Sequence, residues 1–264
     1  MSWKVLFFAC FMFSWSVSAQ STDSSEFEFR SNGDGQISKL PRVEIYPKIR
    51  IASFIPDQEV CFDPLSDSAF AVLDKMPNLE QLKIRCITDP LSERTARLIS
   101  NRNKLKVLLI QNAVLSQDAI RVVLGIPLEV LSIETVPVAD QLQFLNKEKL
   151  LNLSLNHCGL QNKNATSIAD SPKLQYLDVQ GNEYVNAGFI SGLGVLKKLK
   201  ALHFTDVELS MDNCRQVTKQ FPRLHYLSAQ SSIEGEAFLN SSLIDFALLQ
   251  HNNGRSPLWG TEYD

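Results

Sequence analysis

The sequence predicts an α/β solenoid: a short curved arc with parallel strands on its concave face and helices or helical turns on its convex face. Three observations carry the prediction. Leucine fills 36 of the 264 positions. Triplets of the form Leu-x-x-Leu-x-φ, with φ apolar, recur as Leu79/Leu82/Ile84, Leu105/Leu108/Ile110, Leu128/Leu131/Ile133, Leu150/Leu153/Leu155, Leu174/Leu177/Val179, Leu199/Leu202/Phe204 and Leu224/Leu227/Ala229. Their spacings of 26, 23, 22, 24, 25 and 25 residues hold one register, which chance does not produce seven times over. Between the triplets, apolar residues change to the three- and four-residue spacing of a helix.

Each element has a physical reason. No unit of this kind can bury its own apolar face, so successive units must stack. The fourth and sixth positions of a repeat alternate with polar ones at period two, giving a short strand with its apolar side inward. Strands of successive repeats then pair in parallel. The stretches Ser92–Ser100, Gln117–Leu124, Ala187–Lys197 and Met211–Gln220 read as helix, with Ser116 and Ser210 placed as N-caps. Helices are wider than strands, so the stack curves.

The ends are read by the same logic. Lys4 precedes an uncharged run from Val5 to Val17, closed by Val17-Ser18-Ala19, the pattern of a signal peptide over 1–19 cut after Ala19. That run is too short to span a bilayer as a helix, which needs about 20 apolar residues, so no stable membrane span is expected after cleavage. Residues 20–40 are rich in Ser, Asp and Glu, lack periodicity and read as a flexible lead. Residues 41–76 form an N-terminal cap and a degenerate first repeat: Val60 and Phe62 stand 22 residues before Leu82 and Ile84, followed by a helix over Asp67–Lys75. Ile49 and Ile51 would pair with its outer edge. The repeats occupy 77–250, closed by a weak triplet Leu243/Phe246/Leu248, and 251–264 is a tail.

The triplet pattern resembles the leucine-rich-repeat superfamily over about residues 58–250. Two repeats carry more of its consensus. Leu174-Gln-Tyr-Leu177-Asp-Val179-Gln-Gly-Asn182 has asparagine at the ninth position, and Leu150 through Cys158-Gly-Leu160 has cysteine there. The others place Ile87, Ala113, Val136, Val207 and Ser232 at that point, so the family's asparagine ladder is mostly absent and the turn is expected to be less regular. The resemblance implies a leucine-rich-repeat solenoid that recognises a partner through its curved surface, usually a protein and sometimes a glycan.

Composition excludes several function classes. A net charge of −3 leaves no general cationic field for nucleic acid. Lys197, Lys198 and Lys200 form the local basic run, read as the solvated end of a helix. Asn32-Gly33-Asp34-Gly35-Gln36-Ile37-Ser38 looks like the middle of an EF-hand loop, but Arg30 and Pro41 would fill its first and twelfth ligand places, so no metal is expected. No cofactor motif is present. An exported chain can oxidise its thiols; Cys61, Cys86, Cys158 and Cys214 remain after cleavage, read mainly as buried free thiols, with Cys61–Cys86 the best disulfide pair. Sequons stand at Asn152, on the concave face, and at Asn164 and Asn240, in segments expected to accommodate a glycan.

The concave face should display the third, fifth and seventh positions. The fifth reads Lys83, Leu109, Ser132, Ser154, Asp178, His203 and Ser228. Strands about 4.8 Å apart put Asp178, His203 and Ser228 in a row, the order of a carboxylate–imidazole–hydroxyl triad. Nothing in the sequence supplies an oxyanion hole or a strained elbow for the serine, so the row reads as a polar ladder, and a hydrolase is the lesser alternative. The Asp178 carboxylate is expected to favour protonation of His203. The third and seventh positions add Tyr176, Tyr226, Asn156 and Gln180, and with His225 these make the candidate binding surface: Asn156, Tyr176, Asp178, Gln180, His203, His225 and Tyr226. Tyrosines and flat amides supply contact area at low entropic cost. The sequence thus points to an exported, secreted or periplasmic, non-enzymatic binding module. A structural envelope or matrix component without a specific ligand is the other alternative.

Overall fold

The computed structural model describes residues 25–30, 37, 40–55, 66–209, 211–224 and 226–231. The predicted signal peptide, most of the EF-hand-like motif, Val60 and Phe62, Ser210, His225 and everything from residue 232 onward lie outside the described residues.

The described chain is an α/β fold with one open, all-parallel sheet of nine strands in chain order. The strands are β1 (Glu26–Arg30), β2 (Ile51–Ile55), β3 (Gln81–Leu91), β4 (Val107–Leu115), β5 (Val130–Glu134), β6 (Asn152–Asn156), β7 (Tyr176–Asp178), β8 (Ala201–Leu209) and β9 (Tyr226–Ser231). Helices α1 (Glu93–Ser100), α2 (Gln117–Leu124), α3 (Ala165–Ile168), α4 (Ala187–Gly192) and α5 (Met211–Gln220), with 3-10 segments over Asp67–Lys75, Ala139–Phe144 and Asn162–Asn164, occupy the connections. Every connection between parallel strands must cross from one end of the sheet to the other, and here a helical segment makes most of the crossings.

The register follows the repeat. Leu108 pairs with Leu131, Leu131 with Leu153, Leu153 with Leu177 and Leu177 with Leu202, so the fourth positions form one continuous column. From Leu79 to Phe204 all three members of every triplet are buried in one apolar cluster. The ninth positions Ile87, Ala113, Val136, Cys158 and Asn182 are buried as well. Asn182 is the polar member of that column: its Oδ1 accepts from the Cys158 and Leu160 N–H groups at 3.0 and 2.9 Å, and its Nδ2 donates to the Leu155 and Val179 carbonyls at 2.8 Å.

The turn after the strand is more regular than the missing asparagines suggest. The eighth position is left-handed in five consecutive repeats: Cys86, Asn112, Thr135 and His157 at φ 56, 50, 58 and 54°, and Gly181 at 65°. Only Gly181 adopts that conformation without a side-chain penalty, and a β-branched residue there is a true outlier. Thr135 is held by its neighbour. Its Oγ1 accepts from the Asn112 N–H at 3.1 Å and donates to Asn112 Oδ1 at 2.6 Å.

Several expectations need correction. Residues 26–30, inside the stretch expected to be a flexible lead, form β1, because Glu26-Phe27-Glu28-Phe29-Arg30 alternates at period two and Phe29 stacks on Phe54 at 4.7 Å. The place beside β3 belongs to β2, whose Ala52 and Phe54 stand opposite Leu82 and Ile84, rather than to a strand at Val60 and Phe62. Helix α4 stops at Gly192 instead of Lys197, where Gly194 takes a left-handed φ of 61°. The segment over Asp67–Lys75 is a 3-10 helix. Cys86, expected mainly as a free thiol, is disulfide-bonded, and its partner is not among the described side chains. Cys158 is a buried free thiol, pushed up to about 12 chiefly by burial.

The start of α1 is held by a network that ties it to the preceding connection. Ser92 Oγ accepts from the Thr95 N–H at 3.3 Å and donates to Asp67 Oδ2 at 2.7 Å, while Asp67 Oδ1 accepts from the Ser92 N–H at 3.0 Å and the Thr95 hydroxyl at 2.5 Å. Burial alone would raise the Asp67 pKa, but the hydrogen bonds from Thr95 and Ser92 and the charge of Arg94 together hold it below the ordinary carboxylate value. Its stabilisation is therefore present above the unfolded pKa near 3.9 and lost as pH falls through the lower folded value. Asp67→Ala is expected to cost about 1–3 kcal/mol in urea unfolding at pH 7, with the difference from the parent shrinking below about pH 4.

Candidate functional site

One face of the sheet turns away from the helices, and the third, fifth and seventh positions of the repeats stand on it. Ala201 and Tyr226, with Tyr176 packed against them, form an apolar cluster separate from the main core. All three are third-position residues, and Tyr176 stands opposite Ala201, which stands opposite Tyr226. The fifth positions run Ser132, Ser154, Asp178, His203 and Ser228 as direct cross-strand partners. Strand register therefore places Asp178, His203 and Ser228 in a row.

The centre of this row is a hydrogen-bonded knot. Asp178 is 2% exposed and His203 8%. An Asp178 carboxylate buried this deeply requires donors, and three reach it. Asn156 Nδ2 donates to Oδ2 at 3.0 Å, the Gln180 N–H to Oδ1 at 3.2 Å and Gln180 Nε2 to Oδ2 at 3.4 Å. Asn156 Oδ1 also accepts from the Gln180 N–H at 3.1 Å. The Gln180 amide then bridges onward, its Nε2 lying 2.5 Å from His203 Nδ1. With the amide nitrogen donating, Nδ1 accepts and the neutral imidazole carries its proton on Nε2. Tyr226 closes the far side, edge-on to the His203 ring at 6.1 Å between centroids.

Six of the seven predicted site residues, Asn156, Tyr176, Asp178, Gln180, His203 and Tyr226, are thus brought together; His225 lies outside the described residues. Two participants were missed. Ala201 stands between the two tyrosines in the strand register and packs with them, and its third-position placement was a readable signal. Ser154 is buried beside Asp178 on the fifth-position column. The Asn164 sequon also reads differently in three dimensions. Asn164 is 6% exposed, its Oδ1 accepting from the Gln161 N–H and its Nδ2 donating to the Ala139 carbonyl, each at 2.8 Å. That amide nitrogen is committed inside the fold and has no room for a glycan.

The geometry also changes the reading of the row as a triad. Asp178 Oδ1 is 3.7 Å from His203 Nδ1, beyond hydrogen-bond length, and the Gln180 amide makes the close contact instead. In a working triad the carboxylate itself binds that nitrogen and stabilises the imidazolium. The charge logic shifts accordingly. Burial lowers the His203 pKa, and the opposing pull of Asp178 does not overcome it. Asp178 does favour the protonated ring, as expected, but desolvation outweighs it, so the net shift is toward the neutral ring that accepts from Gln180.

A depressed histidine pKa sets the sign of a pH effect. The fold accepts the neutral ring, so full stability is present above the unfolded value near 6.5 and is lost as pH falls toward the folded value, by at most about 1.4 kcal/mol per pH unit from this group. Urea unfolding of the parent and of His203→Gln between pH 7 and pH 5 is expected to show the shallower pH dependence in the variant.

No protein-family model matches the chain, and no curated protein matches it. Among solved structures, the chain is similar to the crystal structure of the Rad7 and Elc1 complex in yeast, with 13% identity over 84% of this chain and 80% of that chain and a TM-score of 0.39. A likeness at that level carries no argument about what this chain does.

Proposed function

We propose that the chain is an exported, non-enzymatic leucine-rich-repeat protein that recognises a protein partner through the open face of its sheet. The observation that carries this reading is the Asn156–Asp178–Gln180–His203 knot beside the Tyr176/Ala201/Tyr226 cluster. A binding surface gains affinity when its polar groups are held in place before the partner arrives, because less ordering cost remains to be met on association. Here the hydrogen bonds fix Gln180 against two neighbours, while half-buried Tyr176 offers an aromatic surface beside it. Export is supported by the amino-terminal pattern through Ala19 and by the disulfide at Cys86, a bond that persists in oxidising compartments. A glycan partner is the lesser form of the same reading.

A hydrolase built on Asp178, His203 and Ser228 is the weaker reading, because Gln180 rather than Asp178 binds His203 Nδ1. The test is affinity capture from the native exported fraction with the mature chain from Gln20, alongside a Tyr176→Ala/Gln180→Ala variant whose folding is checked by circular dichroism. Both side chains are half-exposed, so the variant is expected to fold. The expected result is one species retained by the parent and reduced at least tenfold in the variant. Equal retention by both would move the contact off this face.

A further inference from the structure

A second surface lies where the strands begin. The backbone is continuous there from repeat to repeat, the Leu151 N–H donating to the Glu129 carbonyl at 2.8 Å, the Gln175 N–H to the Leu151 carbonyl at 2.7 Å and the Lys200 N–H to the Gln175 carbonyl at 2.7 Å. The residue just before each triplet therefore recurs along one edge. In the last four described repeats that residue is Lys149, Lys173, Lys198 and Arg223, and Lys197 and Lys200 flank Lys198. All are exposed except half-buried Lys200. With strands about 4.8 Å apart, the four equivalent cations span roughly 15 Å.

The two halves of this edge treat charge differently. In the earlier repeats Glu80 neutralises both Arg50 at 2.8 Å and Lys106 at 3.2 Å, and Lys104 donates to Asn78 Oδ1 at 2.7 Å. In the later half, none of the six cations forms an ion pair among the described residues. Glu148 and Asp170 are the acids in the segments leading into those strands, and Glu129 lines one hollow with Lys149 at the row's inner end. An unbalanced cationic row on a chain of net charge −3 is a local asymmetry, and the sequence alone shows only its Lys197–Lys200 part.

We propose that this edge docks on an anionic lipid surface. The cations are five flexible lysines and one arginine on an exposed rim, an arrangement suited to diffuse charge; a discrete phosphate calls instead for forked or cradled donors. Val195, 60% exposed, stands two residues before Lys197 and supplies an apolar side chain at the same rim. Clusters of four to eight basic residues attract anionic membranes, each basic residue near the surface worth about fivefold in partition. Tyr176 and Gln180 take no part in this edge, so the inference stands apart from the recognition reading.

The test is co-sedimentation of the mature chain from Gln20 with phosphatidylcholine vesicles and with vesicles containing 40% phosphatidylglycerol, at low and at high salt. The variants are Lys149→Gln/Lys173→Gln/Lys198→Gln and, as a control on the balanced half, Lys106→Gln. Expected results are binding to the anionic vesicles alone, release at high salt, at least a tenfold lower partition for the triple variant and little change for Lys106→Gln. Equal binding to both vesicle types would overturn the proposal, as would parent-like binding by the folded triple variant. Tighter binding to soluble polyglutamate than to the anionic vesicles would also overturn it and assign the edge to an acidic protein segment.

Discussion

The structure depends on one constraint: strands from successive repeats must stack in parallel without slipping by a residue. Side chains on a strand alternate faces at period two, so a one-residue slip would send the fourth-position leucines and the apolar sixth positions to solvent and the third and fifth positions into the core. The unbroken column from Leu108 through Leu202 shows that no slip occurs over five strands. The cross-strand neighbours on the open face follow from that register. Asp178 meets His203, and Tyr176 meets Ala201, because the leucines behind them leave no other alignment.

The turns hold the same register from the other side. A left-handed residue at the eighth position of five repeats redirects the chain at one point each time, although four of the five positions lack glycine. At two of those positions the cost is offset locally, where Thr135 and Asn112 bond to one another. Gly181 has an additional reason to lack a side chain: the His157 ring of the preceding repeat lies over it, where a β-carbon would stand. Asn182 then does with five hydrogen bonds what apolar contact does at Ile87, Ala113 and Val136. The ninth position thus tolerates either chemistry, provided it stays buried.

Much of this was legible in the sequence, because repetition makes weak signals additive. The seven triplets identified the strands β3 to β9, and three- and four-residue spacing set the bounds of α2 and α5. Single features without a repeat behind them were less readable. Strand β1 has a strict alternation in only five residues, inside an acidic, serine-rich stretch that masks it. The open-face cluster could be assembled from position numbers, but the insertion of the Gln180 amide between Asp178 and His203 could not, since side-chain torsions rather than register decide it. The same limit explains Asn164: a sequon is a local pattern, whereas burial comes from what packs over it.

Inter-strand nuclear Overhauser contacts read the register directly. The backbone of Asp178 is expected to contact Ser154 on one side and His203 on the other, with Leu177 between Leu153 and Leu202. Contacts displaced by one residue, Asp178 against Leu202 or Phe204, would contradict it, because they would bury the polar row and dissolve the proposed binding face.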